Sequence, residues 1–145
     1  MKLIITVGLP GSGKSTYLAR LGVNAISSDE VRRLIADDVR DQTMNARIFA
    51  IVRYLVRQRI AAGRPVTHVD ATHLQPWERA PYVRIARRFG CELEALFFDV
   101  PLETCIRRNR GRDRAVPEEA IRTMALKMIP PSIEEGFDAV SRPLS

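Results

Sequence analysis

Cysteine is scarce in this chain: only Cys91 and Cys105 are present. Their spacing matches no metal-binding pattern and two thiols make no disulfide framework, so a zinc module and a disulfide scaffold are both excluded. The pair reads as small buried hydrophobes in a reducing compartment. Long apolar runs are also missing. None approaches the roughly 20 residues that a membrane-spanning helix requires, and the apolar stretch at residues 1–7 is too short for a signal peptide. A cytoplasmic location and no membrane partner are expected. No internal repeat, linker or low-complexity segment interrupts the chain, and 145 residues suit one compact domain spanning 1–145 with no room for a second. Lysine is the third shortage. Lys2, Lys14 and Lys127 stand against twenty arginines, in a chain of net charge +6 and pI about 10. Arginine excess follows from a GC-rich coding sequence or from binding phosphate, whose oxygens the guanidinium fork matches. Composition leaves the two even, and local clusters must decide.

What the sequence does contain is apolar runs alternating with helical periods. Residues 3–7 are apolar apart from Thr6, as a strand covered on both faces should be. Further strands are expected at 23–26, 66–69 and 93–100, with helices over 15–21, 29–36, 76–89, 102–108 and 117–128. Between them, Met44, Ile48, Ile51 and Leu55 recur at helical spacing, in an amphipathic helix ended by Gly63 and Pro65. Pro76 and Pro117 stand at helix starts, and Glu118 and Glu119 occupy a first turn, where the helix dipole favours them. Such alternation predicts an α/β fold, a parallel sheet of four to five strands flanked by helices. No fifth strand is evident, and the tail after Pro130 and Pro131 defies assignment.

Residues 8–15 read Gly-Leu-Pro-Gly-Ser-Gly-Lys-Ser directly after the first strand pattern. Gly8, Gly11 and Gly13 let backbone N–H groups turn inward around phosphate oxygens, with Ser12 between them, and the helix that follows points its N-terminus at the same anion. Lys14 supplies charge for β- and γ-phosphates, Ser15 a hydroxyl for Mg²⁺, and Thr16 continues the helix. Thr16 also stands where a dinucleotide-binding fold needs its third glycine, which excludes that alternative. An N-K-x-D motif is absent, which argues against a guanine-specific GTPase. ATP with Mg²⁺ is therefore the expected ligand. Two carboxylates fall near the carboxyl ends of strands, where an acceptor belongs. Asp29 stands where a base for an acceptor hydroxyl is needed, sharing a helix face with Arg32; a plain helix cap is its structural alternative. Asp70 ends the third strand and either supports the Mg²⁺ shell or anchors the acceptor. Arg107, Arg108, Arg110, Arg112 and Arg114 crowd one short segment, as a lid closing over ATP would. His68 reads as a packed strand residue, His73 as a turn residue or a substrate contact, and Trp77 as a helix anchor or a base-stacking platform.

At these residues the chain resembles the kinase domain of 5′-polynucleotide kinases, in the AAA_33-type group of small P-loop kinases. The resemblance rests on residues 8–16, on Ser28-Asp29-Glu30-Val31-Arg32, on Asp70-Ala71-Thr72-His73-Leu74, on Arg108-Asn109-Arg110-Gly111-Arg112, and on Ala115-Val116-Pro117. It implies a P-loop NTPase fold with an arginine-rich lid. Asp29 would act as general base toward a 5′-hydroxyl of RNA or DNA, and Arg32 would contact the acceptor's phosphate. Asp70 would support the site, and Arg112 would grip the ATP phosphates with Arg108 and Arg110 as competitors. A D-x-x-R step also occurs in nucleotide kinases and zeta-toxin-like kinases, so a small-molecule kinase and a nucleotide-binding module with little turnover remain as alternatives. Glu134-Glu135-Gly136-Phe137-Asp138 resembles the end of such kinases, with Phe137 placed near adenine. The oligomeric state stays open.

Overall fold

A computed structural model describes residues 1–113 and 115–143. In chain order the elements are β1 (Lys2–Val7), α1 (Lys14–Leu21), β2 (Ile26–Ser27), α2 (Ser28–Ala36), α3 (Asn45–Ala61), β3 (Val66–Asp70), α4 (Pro76–Phe89), β4 (Glu92–Phe97), α5 (Leu102–Arg110) and α6 (Glu118–Lys127). A 3₁₀ turn (Ile133–Glu135) and β5 (Ala139–Ser141) follow. The strands form one sheet in the order β2-β3-β1-β4-β5, and every pairing is parallel. The chain therefore leaves β1 toward one edge, returns to β3, and crosses to the other side for β4. A crevice opens at the carboxyl end of β1, where strand order reverses.

Both faces of the sheet are covered, as the near-continuous apolar strands require. Leu3, Ile5 and Val7 join Leu93, Ala95 and Phe97 in a main core with α3 and α4. The alternate residues Ile4, Leu96 and Phe98 pack with Leu18 and Tyr17 of α1 on the opposite face. A third cluster of Leu9, Leu74, Cys105, Ile106 and Ile121 joins the loop after β1 to α5 and α6. It makes a floor for whatever lies above.

The seam of α3 differs from the periodicity expected of it. Ile48, Val52, Val56 and Ile60 are the buried stripe, while Leu55 is 37% exposed. The stripe runs on strict four-residue spacing, and its two valines are smaller than the side chains that draw the eye in the sequence. Burying each contributes about 1.5–3 kcal/mol. The second strand is shorter and later than expected, at Ile26–Ser27, and the fourth stops at Phe97.

The tail that resisted assignment supplies a fifth strand. Asp138 accepts a hydrogen bond from the Leu93 N–H through Oδ2 (2.8 Å), and its own N–H donates to the Leu93 carbonyl (2.8 Å). That double contact seats β5 on β4. Phe137 lies in the main core, 2% exposed, which corrects its expected place near adenine. Glu135 takes a two-point contact from Arg79, at 2.8 Å from Nε and 2.9 Å from NH2. The remaining Arg79 nitrogen donates to the His73 carbonyl (2.8 Å). Arg79 is fully buried, so an unpaired guanidinium here is costly. Glu135→Ala is expected to lower stability by about 3 kcal/mol, read as a lower denaturant midpoint at unchanged slope; an unaltered midpoint would show that the pair anchors nothing.

Candidate active site

The loop between β1 and α1 is built around two glycine conformations. Gly11 has φ 81°, and a Cβ there would sit 2.4 Å from the Cys105 carbonyl oxygen. Gly13 has φ 96° and begins α1 with no side-chain cap. Both are left-handed positions that other residues resist. The first-turn N–H groups of α1 therefore stay open to an anion, and the helix dipole adds to the attraction. Gly8 and Ser12 lie behind the cleft wall, whereas Gly11, Gly13, Lys14, Ser15 and Thr16 line it.

Lys14 is 8% exposed and folds back over its own loop. Its ammonium donates to the carbonyls of Gly8 (3.0 Å) and Leu9 (2.8 Å). Burial pushes its pKa down to about 8; Asp70 opposes that shift and Arg112 adds to it. Both groups are thus within electrostatic reach of the lysine. Ser15 donates its hydroxyl to Asp70 Oδ2 at 2.7 Å, joining the start of α1 to the end of β3. These two hard oxygen donors suit Mg²⁺. Among the described residues no three His, Cys, Asp or Glu side chains gather, so such an ion would take few protein ligands and complete its shell with water and phosphate, its usual habit.

The expected acceptor pair forms at the start of α2. Ser27 caps the helix, accepting from the Glu30 N–H (3.3 Å), which leaves the Asp29 carboxylate free of capping. The Asp29 side chain is 56% exposed and its partner Arg32 only 5%. Arg32 NH1 donates to Asp29 Oδ1 (2.9 Å), and NH2 donates to Asn45 Oδ1 (2.9 Å). Asn45 Nδ2 in turn reaches Gln42 Oε1 (3.1 Å). A buried guanidinium thus holds an exposed carboxylate by one arm. Asn45 and Gln42 were not expected; polar side chains at a helix start carry no distinguishing pattern. Asp29, Arg32, Asn45 and Asp70 all face the cleft that holds the phosphate loop, a cavity of about 880 Å³.

The arginine-rich segment divides by role. Arg108 and Arg112 line the cleft. Arg110 turns to Glu118 at 2.6 Å. Arg114 lies outside the described residues. Asn109, buried, holds the segment closed. Its Nδ2 donates to the Val116 carbonyl (2.6 Å), and its Oδ1 accepts from the Val116 N–H (2.9 Å). Arg122 adds a strut to Glu103 (3.1 Å). One amide thus ties the end of α5 to the approach to α6.

His73 departs from the expectation of a substrate contact. It has φ 45° and is 2% exposed. Its Nδ1 lies 2.6 Å from the Thr6 carbonyl, and its ring meets Tyr82 edge-on at 5.1 Å. Burial pushes its pKa down to about 4, so it is neutral near pH 7 and offers a phosphate no charge. It braces the β3–α4 turn that carries Asp70. Thr6 braces the same turn, donating to the Ala71 carbonyl (2.8 Å) and accepting from the Ala71 N–H (3.1 Å). Trp77 is not the helix anchor expected of it, being 72% exposed.

Residues 3–131 match the model of the AAA_33 family, described as an AAA domain. Human L-seryl-tRNA(Sec) kinase is 40% identical over 78 residues, which are 52% of this chain and 22% of the human protein. The chain thus spans about a fifth of that relative's length. A chain of the Pnkp1/Rnl/Hen1 RNA repair complex superposes with a TM-score of 0.72 at 25% identity, over 87% of this chain and 43% of that one. The APS kinase CysC of Mycobacterium tuberculosis, in complex with AMPPNP and APS, shares the fold with a TM-score of 0.64 at 21% identity, over 99% of this chain and 89% of that one. The open anion cradle, the lysine inside it and the two cleft-facing arginines are what a phosphoryl-transfer fold requires, and the chain belongs to the AAA_33 family of P-loop kinase domains.

Proposed function

We propose that residues 1–145 act as one kinase unit that transfers the γ-phosphoryl group of ATP to the 5′-hydroxyl end of RNA or DNA. The observation that carries the reading is the Asp29–Arg32 pair, an exposed carboxylate held by a buried guanidinium in the same cleft as Lys14 and Ser15. In-line transfer needs little covalent help from a protein; it needs positioning, a base and neutralisation of charge. Asp29 takes the proton of the acceptor hydroxyl, whose oxygen forms the new P–O bond. The bond from the γ-phosphorus to the β–γ bridging oxygen breaks, and ADP leaves with that electron pair. The loop N–H groups, Lys14, Arg108 and Arg112 meet the charge on the phosphates. Ser15 and Asp70 would hold Mg²⁺, which when bound neutralises phosphate oxygens. Arg32 lies where a phosphate next to the acceptor hydroxyl would be met, while Asn45 keeps its fork in plane.

A polynucleotide acceptor draws support from three sides. The net charge is +6. One relative is named as a kinase of a tRNA-borne seryl group, and a structural neighbour belongs to an RNA repair complex. No helix among the described residues is long and apolar enough to cross a membrane; a cytoplasmic site belongs to the proposal along with the substrate.

The deciding experiment is transfer of labelled phosphate from ATP, screened over 5′-hydroxyl oligonucleotides, nucleosides and sugars. Oligonucleotides are expected to be labelled at the 5′ end, with KM falling as length increases. Between 50 and 200 mM salt that KM should rise steeply, about tenfold or more, as counterion release predicts. Faster turnover of a nucleoside or sugar, with a KM indifferent to salt, would assign the chain to the small-molecule kinases instead. ATP binding without transfer to any acceptor would mark a nucleotide-binding module.

A further inference from the structure

Trp77 carries the largest side chain in the molecule and leaves 72% of it in solvent. It is not loose. Its indole Nε1 donates to Gln75 Oε1 at 2.8 Å, and the Gln75 N–H is itself tied to Glu78 Oε2 at 2.9 Å. Pro76, the first residue of α4, fixes the backbone between them. The only polar atom of the ring is therefore satisfied within the protein, and what faces outward is an aromatic surface. An apolar face held open in this way gains nothing for folding.

Its position gives that surface a use. Trp77 lines the same cleft as the phosphate loop, as do Leu74, Gln75 and Lys127. It follows β3, on the flank of β1 where β2 leads to Asp29 and Arg32; the lid arginines follow β4 on the other flank. By chain order the tryptophan stands on the flank of β1 that carries the acceptor pair, and the end of α6 is brought to the same turn from the other flank. Lys127, one of only three lysines, comes from the end of α6. The bond from the Ile129 N–H to the Leu74 carbonyl (2.9 Å) fastens the chain just beyond it to the turn before α4. An aromatic plane and an ammonium lining one cleft match one nucleotide of a single strand, its base stacked and its phosphodiester neutralised.

Building on the polynucleotide reading above, we infer that Trp77 is a stacking platform for a nucleobase near the 5′ end of the acceptor strand, with Lys127 meeting the adjoining phosphodiester. Stacking tolerates any base, so the platform selects for a polynucleotide over a sugar or other base-free acceptor without imposing a sequence.

Trp77 is the only tryptophan in the chain, so intrinsic fluorescence reports on it directly. The full chain is titrated with a 5′-hydroxyl oligonucleotide and with the same strand carrying abasic residues at its first positions. Quenching is expected with the first and not with the second. Trp77→Ala should raise the oligonucleotide KM roughly tenfold, leave the KM for ATP in place, and be largely rescued by Trp77→Phe. On the abasic strand, wild type and Trp77→Ala should be equally poor. If labelled phosphate reaches oligonucleotides but intact and abasic strands quench and react alike, the stacking assignment is wrong and the kinase reading stands. If no polynucleotide is phosphorylated and none quenches the fluorescence, both fall together.

Discussion

Asp29→Ala is expected to lower kcat on the true acceptor by about 10²–10⁴-fold, the range a positioned general base supplies. The KM for ATP should move far less, because Asp29 hydrogen-bonds Arg32 and acts on Lys14 only through its charge. A loss of this size corresponds to about 3–5 kcal/mol of barrier, far more than any structural part the carboxylate plays. The helix is capped by Ser27, not by Asp29, and an acidic residue in a first turn contributes only about 0.3–1 kcal/mol. The sharper variant is Asp29→Asn. Asparagine can still accept from Arg32 NH1 and so keeps the guanidinium in place, but it cannot take a proton. If Asp29 is the base, Asn and Ala fail alike. If Asp29 only orients Arg32, Asn restores most of the rate. An Asp29→Asn enzyme with near-normal kcat would remove the base from the mechanism.

The parts of this molecule legible in the sequence are those whose physics is local. The phosphate loop is one: Gly11 and Gly13 adopt left-handed backbone conformations, and such a demand writes itself into residue type. Helix starts at Pro76 and Pro117 and stops at Gly22 and Gly90 are local in the same sense. Asp29 and Arg32 were found because three-residue spacing on a helix places two side chains together wherever the helix lies. What escaped is held by distant partners. β5 is three residues long, and its seat depends on Asp138 reaching Leu93, 45 positions away. Glu135 finds its partner Arg79 at a separation of 56. His73 is read as a turn residue from sequence, yet only the fold shows that Thr6, 67 positions off, buries it. The arginine cluster shows both cases. Its basic density was legible in the sequence, but that Arg108 and Arg112 line the cleft while Arg110 pairs with Glu118 was not.

Lys14→Met is expected to lower kcat by about 10³-fold, the cost of removing one preorganised donor to a developing oxyanion, while making the ligand-free protein's stability less sensitive to alkali. The second effect follows from burial. The ammonium lies in the loop with its pKa pushed from 10.5 down to about 8. Desolvation outweighs the attraction of Asp70. A lysine that protonates less readily when folded costs stability while it stays charged, here about 3 kcal/mol below pH 8. As pH rises from about 8 to 10.5 the folded form sheds its proton before the unfolded form does. The unfolded chain then binds more protons, and wild-type stability rises through that window. Methionine has no proton to shed, so the variant should show no such rise. Losing the bonds to the Gly8 and Leu9 carbonyls costs about 1–2 kcal/mol at every pH. The slope of unfolding free energy against pH between 8 and 10.5 is therefore the decisive quantity, rather than a single melting temperature. A wild-type slope no steeper than that of Lys14→Met would mean that the ammonium is better solvated than its position implies. ATP should reverse the balance in the wild type. Its phosphates restore the proton to Lys14, so nucleotide binding near pH 9 should take up a proton in the wild type and none in the variant. The lysine is thus held at a cost to the empty fold, and that cost is relieved when the anion arrives.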